Sequence, residues 1–523
     1  MAAKKQFKIT YSTLGADMEK FHREFDRALD KVRGHFGESH PHYINNQAVA
    51  GAGQTFASKS PVDTSIDLAY FREGTSDEVD AAVRAAKEAF PKWAATDYQK
   101  RAKIVQKAAA LIRKDKFTLA AIMAFEVGKN RLESMGDVEE SADLLDYYAK
   151  QLLDAKGFLK PLGKLSPKED TRSVLRPYGV WAMIAPFNFP LALPTGMSAG
   201  VLLGGNTLVY KSSVDTPWIT GRLAEIYIAA GMPPGVVNFV AGDRHMGNIL
   251  ISHPLLNGIV FTGSKAVGMK IFQEFNRDYI KPVILELGGK NPAIVMPSAD
   301  LEVASDGVMK SAFGLQGQKC SACSRVYVHK KVKDKFLELL LRKTAAIKIG
   351  DPIERDVFMG PLVNQKAYDK FAAAAEEARR DGTILTGGDQ LREGNFSNGY
   401  FVEPTIVDDL PRDHRIFKEE LFLPFLAVGE MESLEEGVQL SNNVEYGLTA
   451  GIYTKNKKEL AYFFDNIEAG VTYANRRSGA TTGAWPGVNS FCGWKGSGGS
   501  GKGGCGPYYV QQFMREQSRT IQK

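Results

Sequence analysis

The sequence predicts an α/β protein built on a doubly wound parallel sheet with a second α/β block after it, and three observations carry that prediction. From residue 180 onward, short apolar stretches alternate with helical ones: VWAMIAP, NTLVYK, VVNFVAG, IVFTGS and PVILELG. None shows the period-two alternation of a strand with one wet face, so each reads as a strand covered on both sides, as in a parallel sheet between helix layers. A second block of the same kind runs over 288–490 and opens on GKNPAIVM. With 523 residues and 44% hydrophobic side chains, the chain has room for two or three cores at about 100–200 residues per domain.

The elements follow in order. The N-terminal arm is basic and polar, and MAAKKQFKITYST carries no apolar run of signal-peptide length. TSDEVDAAVRAAKEAF (75–90) reads as a helix with Ser76 as N-cap and Val79, Val83, Ala86 and Phe90 on one face. RAKIVQKAAALIRKDKFTLAAIMAFE (101–126) reads as one long helical pattern. Residues 179–210 contain no charged side chain, which invites a membrane reading, because a spanning helix needs about 20 apolar residues. Pro186, Pro190 and Pro194, however, each remove a backbone hydrogen bond, so a buried strand, a loop and a buried helix fit better. In the second block VKDKFLELLLRKTAAI (332–347) has a helical pattern. The tail GWKGSGGSGKGGCGPYY (493–509) has a linker's composition, but aromatic residues on both sides point to loops tied to a surface. No internal repeat of solenoid period is present.

Charge and cysteine usage narrow the function classes. Sixty-six basic against 60 acidic residues leave a net charge of +6, too small a field to imply a nucleic-acid or membrane partner. Four cysteines in so long a chain exclude a disulfide scaffold and indicate a reducing, cytoplasmic setting.

Two of those cysteines, Cys320 and Cys323, fall within four consecutive positions in FGLQGQKCSACSR (313–325). A C-x-x-C pair can be a redox dithiol, half of a zinc site, or one nucleophile with a passive neighbour. A zinc site would have to recruit Cys492 and Cys505, which have twelve residues between them and lack the close spacing of a zinc knuckle. Glu286, inside VILELGG, is costly to bury unless paired or protonated, and its place at a strand end before two glycines favours a functional or cofactor-facing role. The dinucleotide fingerprint G-x-G-x-x-G follows none of the strands. The nearest candidate is IVFTGSKAVG, where Gly263 and Gly268 flank a helix start whose N–H groups can cradle phosphate. Alone, such a turn is more often only a turn.

The combination says more than its parts. PFNFP (186–190), FTGS (261–264), LELGGK (285–290), FGLQGQKC (313–320) and EELF (419–422), in that order and at those separations, resemble the aldehyde dehydrogenase superfamily from about residue 45 to the end of the chain. The resemblance implies a dinucleotide-binding domain over 1–156 and 176–287, a catalytic domain over 288–490, and a small oligomerisation segment over 157–175 and 491–523. In detail PFN, QKCSAC, TTGAWPG, F-x-GW-x-GSG and GPYY are similar to the 1-pyrroline-5-carboxylate dehydrogenases, also called glutamate semialdehyde dehydrogenases. That subgroup implies oxidation of L-glutamate γ-semialdehyde to L-glutamate in proline catabolism; the alternative is a broader semialdehyde or aliphatic aldehyde dehydrogenase. Leu423 and Cys492 stand where the family usually has glycine.

The resemblance also implies residue roles. Cys320 is the nucleophile and Cys323 a packed bystander; no metal is implied. A thiolate adding to an aldehyde turns the carbonyl C–H into a hydride donor. Asn188 and the backbone N–H of Cys320 would hold the oxyanion, and losing one such donor costs on the order of a hundred- to a thousandfold in rate. Glu286 would be the general base that hydrolyses the thioester. For the cofactor, NAD or NADP, the matching positions are Ala185, Phe187, Lys211, Gly242, Gly263, Ser264, Gly268, Leu287, Glu420 and Phe422. Lys211 and Glu420 would meet ribose hydroxyls and Phe422 would pack beside the nicotinamide ribose. The family can carry an acid three residues after the lysine to bind the adenosine 2′-OH; here that position is Val214, with Asp215 one beyond, so NADP is expected to be accepted beside NAD. For the substrate, Ser321 and the N–H groups of Gly483 and Ala484 would hold the carboxylate, Phe491 would pack on the chain and Glu140 would face the ammonium. NRRSGATTGA (475–484) is longer than the shortest family versions. The implied partners are a small-molecule aldehyde and further copies of the chain, as a dimer or larger homo-oligomer.

Overall fold

A computed structural model of the chain describes residues 18–523, so most of the basic arm lies outside the described residues. The described chain starts with α1 (Glu19–Arg33), which buries Phe21, Phe25, Leu29 and Val32 along one stripe. Next come β1 (Glu38–Ser39), the hairpin of β2 (His42–Ile44) and β3 (Gln47–Val49), and the hairpin of β4 (Thr55–Lys59) and β5 (Asp67–Arg72).

A helical layer follows: α2 (Ser76–Ala94), α3 (Tyr98–Lys114), α4 (Lys116–Val127) and α5 (Arg131–Asp154). The N-cap of α2 is Thr75 rather than Ser76. Thr75 Oγ1 accepts the Glu78 N–H at 3.3 Å and Glu78 Oε2 accepts the Thr75 N–H at 2.9 Å, a reciprocal capping box that needs the acid three residues after the cap. Val79, Val83 and Ala86 are buried, while Phe90 is only half-buried. The run read as one helix over 101–126 is two, broken at Asp115 (φ −103°, ψ 18°). Beyond the break α4 turns inward and buries every residue from Leu119 to Val127, whereas the lysine-rich α3 keeps one face in water.

After the arm strands β6 (Leu159–Pro161) and β7 (Glu169–Pro177) comes the first large sheet. Its units are β8 (Val180–Ile184), α6 (Ala192–Leu203), β9 (Thr207–Lys211), α7 (Pro217–Ala230), β10 (Val237–Phe239), α8 (Arg244–Ile251), β11 (Gly258–Thr262), α9 (Lys265–Phe275) and β12 (Val283–Glu286). The charge-free stretch is thus a buried strand, a loop, a buried helix and a second strand; among the described residues no helix is long and apolar enough to cross a membrane. The sheet order is β12-β11-β8-β9-β10-β2-β3, parallel from β12 to β10, with the β2–β3 hairpin antiparallel at the edge. The order reverses at β8, whose neighbours are β9 on one side and β11 on the other. In such sheets the crevice at the carboxyl ends of the strands is the ligand site.

The second block repeats the plan with β13 (Asn291–Val295), α10 (Leu301–Phe313), β14 (Cys323–His329), α11 (Lys333–Ala345), α12 (Gln365–Asp381), β15 (Thr383–Thr386), β16 (Thr405–Asp408), β17 (Phe425–Met431), the short β18 (Tyr446–Gly447), β19 (Thr449–Tyr453), β20 (Val471–Ala474), β21 (Trp494–Lys495) and β22 (Met514–Gln522). Its sheet runs β15-β16-β17-β14-β13-β19-β20, parallel except for β15. β9, β11, β13 and β19 are buried at every position, which is why their sequences show no alternation.

The tail splits in two. β22 pairs antiparallel with β7 along nine positions, from Met514 opposite Pro177 to Gln522 opposite Glu169, and β6 covers the other edge of β7. Residues 491–513 do not join this arm. Gly499 N–H donates to Leu285 O at 3.1 Å and Leu287 N–H to Ser497 O at 2.9 Å, so the glycine-dense stretch lies along the exposed edge of β12 and covers it.

Candidate active site

β12 ends at Glu286, and the chain crosses into the second domain through Leu287, Gly288 and Gly289. A Cβ on Gly288 would collide with the Glu420 carboxylate, and one on Gly289 would lie 2.5 Å from the Cys320 carbonyl oxygen. The two glycines of LELGGK are therefore there for close approach: two distant segments close onto this crossing. Gly289 N–H donates to Glu420 Oε1 at 2.8 Å. Two residues on, Asn291 donates from Nδ2 to the carbonyls of Cys320 (2.8 Å) and Ala322 (2.9 Å), and its Oδ1 accepts the Thr449 N–H at 3.0 Å. It thereby fixes the backbone on both sides of Ser321.

The nucleophile segment leaves α10 through Leu315 and Gln316, both left-handed, with φ of 49° and 54°. Such backbone is strained for residues with side chains and persists where the surroundings hold it. Here Leu315 N–H donates to Glu133 Oε2 at 3.2 Å, Gln316 Nε2 to Gly128 O at 3.0 Å, and Val363 N–H to Gln318 Oε1 at 3.1 Å. Lys319 Nζ lies 2.8 Å from Glu133 Oε1, and Thr481 Oγ1 donates to Ser321 O at 2.7 Å. Cys320 is thus presented part-exposed, while Cys323 is buried as the first residue of β14. All four cysteines are free, and they form no metal-ligating cluster among the described residues.

Cys320 opens onto a cavity of about 280 Å³ whose wall also includes Glu286, Ser321, Glu140, Gly483, Ala484 and Phe491. Each residue expected to bind substrate therefore shares one cavity with the expected nucleophile and base. Asn188 is buried in the loop after β8 and does not line this cavity, although its neighbour Phe189 does. The wall also holds Tyr148, Lys310 and Cys505, which the motifs did not mark. Tyr148 Oη accepts the Cys505 N–H at 2.7 Å, and Cys505 Sγ lies 4.0 Å from Glu140 Oε1. A signal did exist for Tyr148: Glu133, Asp137, Glu140, Leu144 and Tyr148 recur at three- and four-residue steps, one face of α5.

The residues expected to bind cofactor gather at the carboxyl ends of the first sheet. Ala185, just past β8, donates its N–H to Lys211 O at 3.0 Å, and Lys211 closes β9. Gly242 follows β10; Gly263 and Ser264 follow β11, with Ser264 as the N-cap of α9 and Gly268 in its first turn. A Cβ on Gly268 would lie 2.5 Å from Leu287 Cδ2, so this glycine lets α9 close on the domain crossing. Phe187 and Phe422 meet edge to face, with centroids 5.8 Å apart at 80°. The set suits a dinucleotide. No side chain caps α9, so its first-turn N–H groups and positive dipole end are open to a phosphate, and the buried Lys211 stands two strands away, across β8.

Burial sets the protonation states. It pushes the Cys320 thiol up to about 12, with the Glu420 and Glu286 carboxylates adding to the rise. It pushes the Glu286 carboxyl up to about 8 against one N–H from Gly504, and Glu286 Oε2 is buried without a hydrogen-bond partner among the described residues. Glu420 rises to about 7 for the same reason, opposed by the Gly289 N–H. Lys211 falls to about 8 and Lys290 to about 7, both by desolvation. Burial thus favours the protonated forms of the resting Cys320 thiol and of Glu286.

The sequence model of the aldehyde dehydrogenase family matches residues 48–518. The 1-pyrroline-5-carboxylate dehydrogenase 1 of Halalkalibacterium halodurans is 34% identical over 510 residues, which cover 96% of each chain. The 1-pyrroline-5-carboxylate dehydrogenase 2 of Bacillus subtilis is 36% identical over 504 residues, 95% of each chain. Among solved structures, a 1-pyrroline-5-carboxylate dehydrogenase from Thermus with bound NAD matches with a TM-score of 0.93 at 34% identity, over 100% of both chains. The chain belongs to the aldehyde dehydrogenase family.

Proposed function

We infer that the protein oxidises L-glutamate γ-semialdehyde, the open form of 1-pyrroline-5-carboxylate, to L-glutamate with NAD or NADP, the last oxidation of proline breakdown. One observation carries the reading: a thiol, a carboxyl with one buried oxygen unpartnered and groups suited to both ends of an amino acid share a single cavity. The relatives named above are 1-pyrroline-5-carboxylate dehydrogenases along nearly their whole length. Ser321 Oγ and the N–H groups of Gly483 and Ala484 suit the substrate carboxylate, Glu140 suits the ammonium, and Phe491 packs on the carbon chain.

In this reading Cys320 Sγ gives its proton to solvent water as it adds to the aldehyde carbon, the carbonyl π pair moves onto oxygen, and the Cys320 N–H and Asn188 hold that oxyanion. NAD or NADP, when bound, accepts the hydride from that carbon. Glu286 takes a proton from the water that opens the resulting thioester, which releases L-glutamate and restores the thiol. Lys211 and Glu420 would hold the cofactor's ribose hydroxyls, and Phe187 and Phe422, which meet edge to face, would pack beside the nicotinamide end. The dinucleotide-binding domain is 1–156 with 176–287, and the catalytic domain is 288–490.

The arm of 157–175 with the C-terminal strand serves self-association as a dimer or larger homo-oligomer, since Leu159, Leu162, Leu165 and Ile521 all stand exposed on it. Four free cysteines suit a cytoplasmic setting. The test is the absorbance of reduced cofactor with pyrroline-5-carboxylate, succinic semialdehyde and propanal in turn, each with NAD and NADP. A preference for pyrroline-5-carboxylate that vanishes in Cys320→Ala supports substrate and nucleophile together. A preference for the plain aldehydes keeps the mechanism and replaces the substrate with the broader class.

A further inference from the structure

We propose that α5 registers the nucleophile against the oxyanion donor through two carboxylates one helical turn apart, Glu133 holding the Cys320 segment and Asp137, with Lys129, holding the Asn188 loop. The inference rests on the reading of Cys320 as nucleophile and Asn188 as donor. Glu133 faces the second domain: its Oε1 lies 2.8 Å from Lys319 Nζ, and its Oε2 accepts the Leu315 N–H at 3.2 Å. Both partners belong to the segment that delivers Cys320. Asp137 faces the first domain: its Oδ2 lies 2.6 Å from Lys129 Nζ, its Oδ1 accepts the Ala192 N–H at 2.7 Å, and the Leu191 N–H also donates to it. Lys129 Nζ in turn sits 4.0 Å from the centroid of Phe189, the residue after Asn188.

Lys129 and Asp137 are both 0% exposed. A fully buried ion pair gives little net stability, because desolvation offsets its attraction. What it specifies is position, and here it positions the loop that carries the oxyanion donor. The base of the helix is itself tied down: Asn130 caps it by accepting the Glu133 N–H at 3.0 Å and donates from Nδ2 to Phe358 O at 2.8 Å. On a helix, residues four apart lie about 6 Å from each other on one face, and catalytic groups must be held to within about 0.5 Å. A rigid helix touching both loops meets that tolerance across a domain boundary. Asp137 and Lys129 lie outside the cavity wall, and Glu133, which lines it, acts in this role through Lys319 and the Leu315 N–H; all three are positioning residues.

Two reactions of Cys320 separate this role from general structural support. Alkylation by iodoacetamide needs the thiol but builds no oxyanion, whereas acylation by p-nitrophenyl acetate needs both. In the purified full chain, Lys129→Gln with Asp137→Asn, which conserves net charge, is expected to slow acylation at least tenfold while alkylation stays within twofold. Glu133→Gln is expected to slow both by a similar factor. Equal slowing of both reactions in the Lys129/Asp137 variant, or no change in either, overturns the proposal. If that variant does not fold, Lys129→Met with Asp137→Asn, which also conserves net charge and keeps the volume of the lysine stem, is expected to give the same split, and unchanged rates there overturn it. If Cys320→Ala still shows the acylation burst, the underlying assignment of the nucleophile fails instead.

Discussion

The Asp215 carboxylate accepts the Asn364 side-chain amide at 3.0 Å on one oxygen and the Ser213 hydroxyl at 3.0 Å on the other. Both Asp215 oxygens are engaged within the fold, and Val214 before it, at the position where an acid would meet the adenosine 2′-OH, is apolar and 42% exposed. An acid at this point discriminates against the 2′-phosphate of NADP, and its absence leaves room for it. The expected kcat/KM values for NAD and NADP therefore differ by less than a hundredfold, and Val214→Glu lowers the NADP value at least tenfold with little effect on NAD. A wild-type preference for NAD above a hundredfold defeats this argument.

Glu286 works as a base only when deprotonated, and burial raises its carboxyl to about 8. Below that pH the competent fraction falls about tenfold per unit. Thioester hydrolysis, read as the steady state after a p-nitrophenyl acetate burst, should rise with pH and level off above about 8. Glu286→Gln should remove the rising limb and lower the plateau by about a hundred- to ten-thousandfold. The same limb surviving in the variant would assign the base elsewhere.

Ser321 sits between two carbonyls pinned by Asn291, and its own carbonyl is held by Thr481. A hydroxyl on backbone held in this way is preorganised to donate to a carboxylate, the role proposed for it. A hydrogen bond to a charged group contributes about 1.5–3 kcal/mol, roughly ten- to a hundredfold. Ser321→Ala should raise KM for pyrroline-5-carboxylate by that factor and leave KM for propanal nearly unchanged; equal effects on both substrates count against the carboxylate role.

Glu126, buried inside α4, caps α7 from a distance: it accepts the N–H groups of Trp218 (2.8 Å) and Ile219 (3.0 Å) and the Ser58 hydroxyl (2.8 Å). Glu126→Ala strands three buried donors, each costing about 1–3 kcal/mol. The expected loss is on the order of 3–5 kcal/mol, seen as a clear fall in Tm, and Glu126→Gln, which keeps one acceptor oxygen, should lose less. A Tm within a degree of wild type for Glu126→Ala would mean that water or a shifted loop satisfies those donors.

Removing residues 514–523 takes away β22, which shields one edge of β7 along nine positions. Light scattering should then report a smaller species than the full chain gives, with the cofactor sheet still folded by circular dichroism. An unchanged mass would exclude the arm from assembly.

Much of this site was legible because its chemistry sits in short motifs. LELGGK shows its two glycines at once, and the structure supplies their reason in the Glu420 carboxylate and the Cys320 carbonyl that crowd them. The five parallel strands were legible because full burial removes alternation, a local property. The break at Asp115 was not, since the apolar period continues on both sides of it, and only the burial of α4 on all faces turns the chain. That Thr75 and not Ser76 caps α2 was hidden for a similar reason: two adjacent hydroxyl residues compete, and the reciprocal bond of Thr75 with Glu78 decides.

By itself, then, the sequence determined the fold class, the strand and helix types, and the cysteine, glutamate and glycines of the candidate site, because each is encoded within a few neighbouring residues. Only the tertiary structure decided that Leu315 and Gln316 adopt left-handed backbone, that Asp215 is engaged by Asn364, and that one face of α5 carries both Glu133 and Asp137 to opposite domains. These depend on partners that lie from about 55 to nearly 190 residues away along the chain. No local pattern specifies such contacts, and they form only when packing of the two domains brings the segments together.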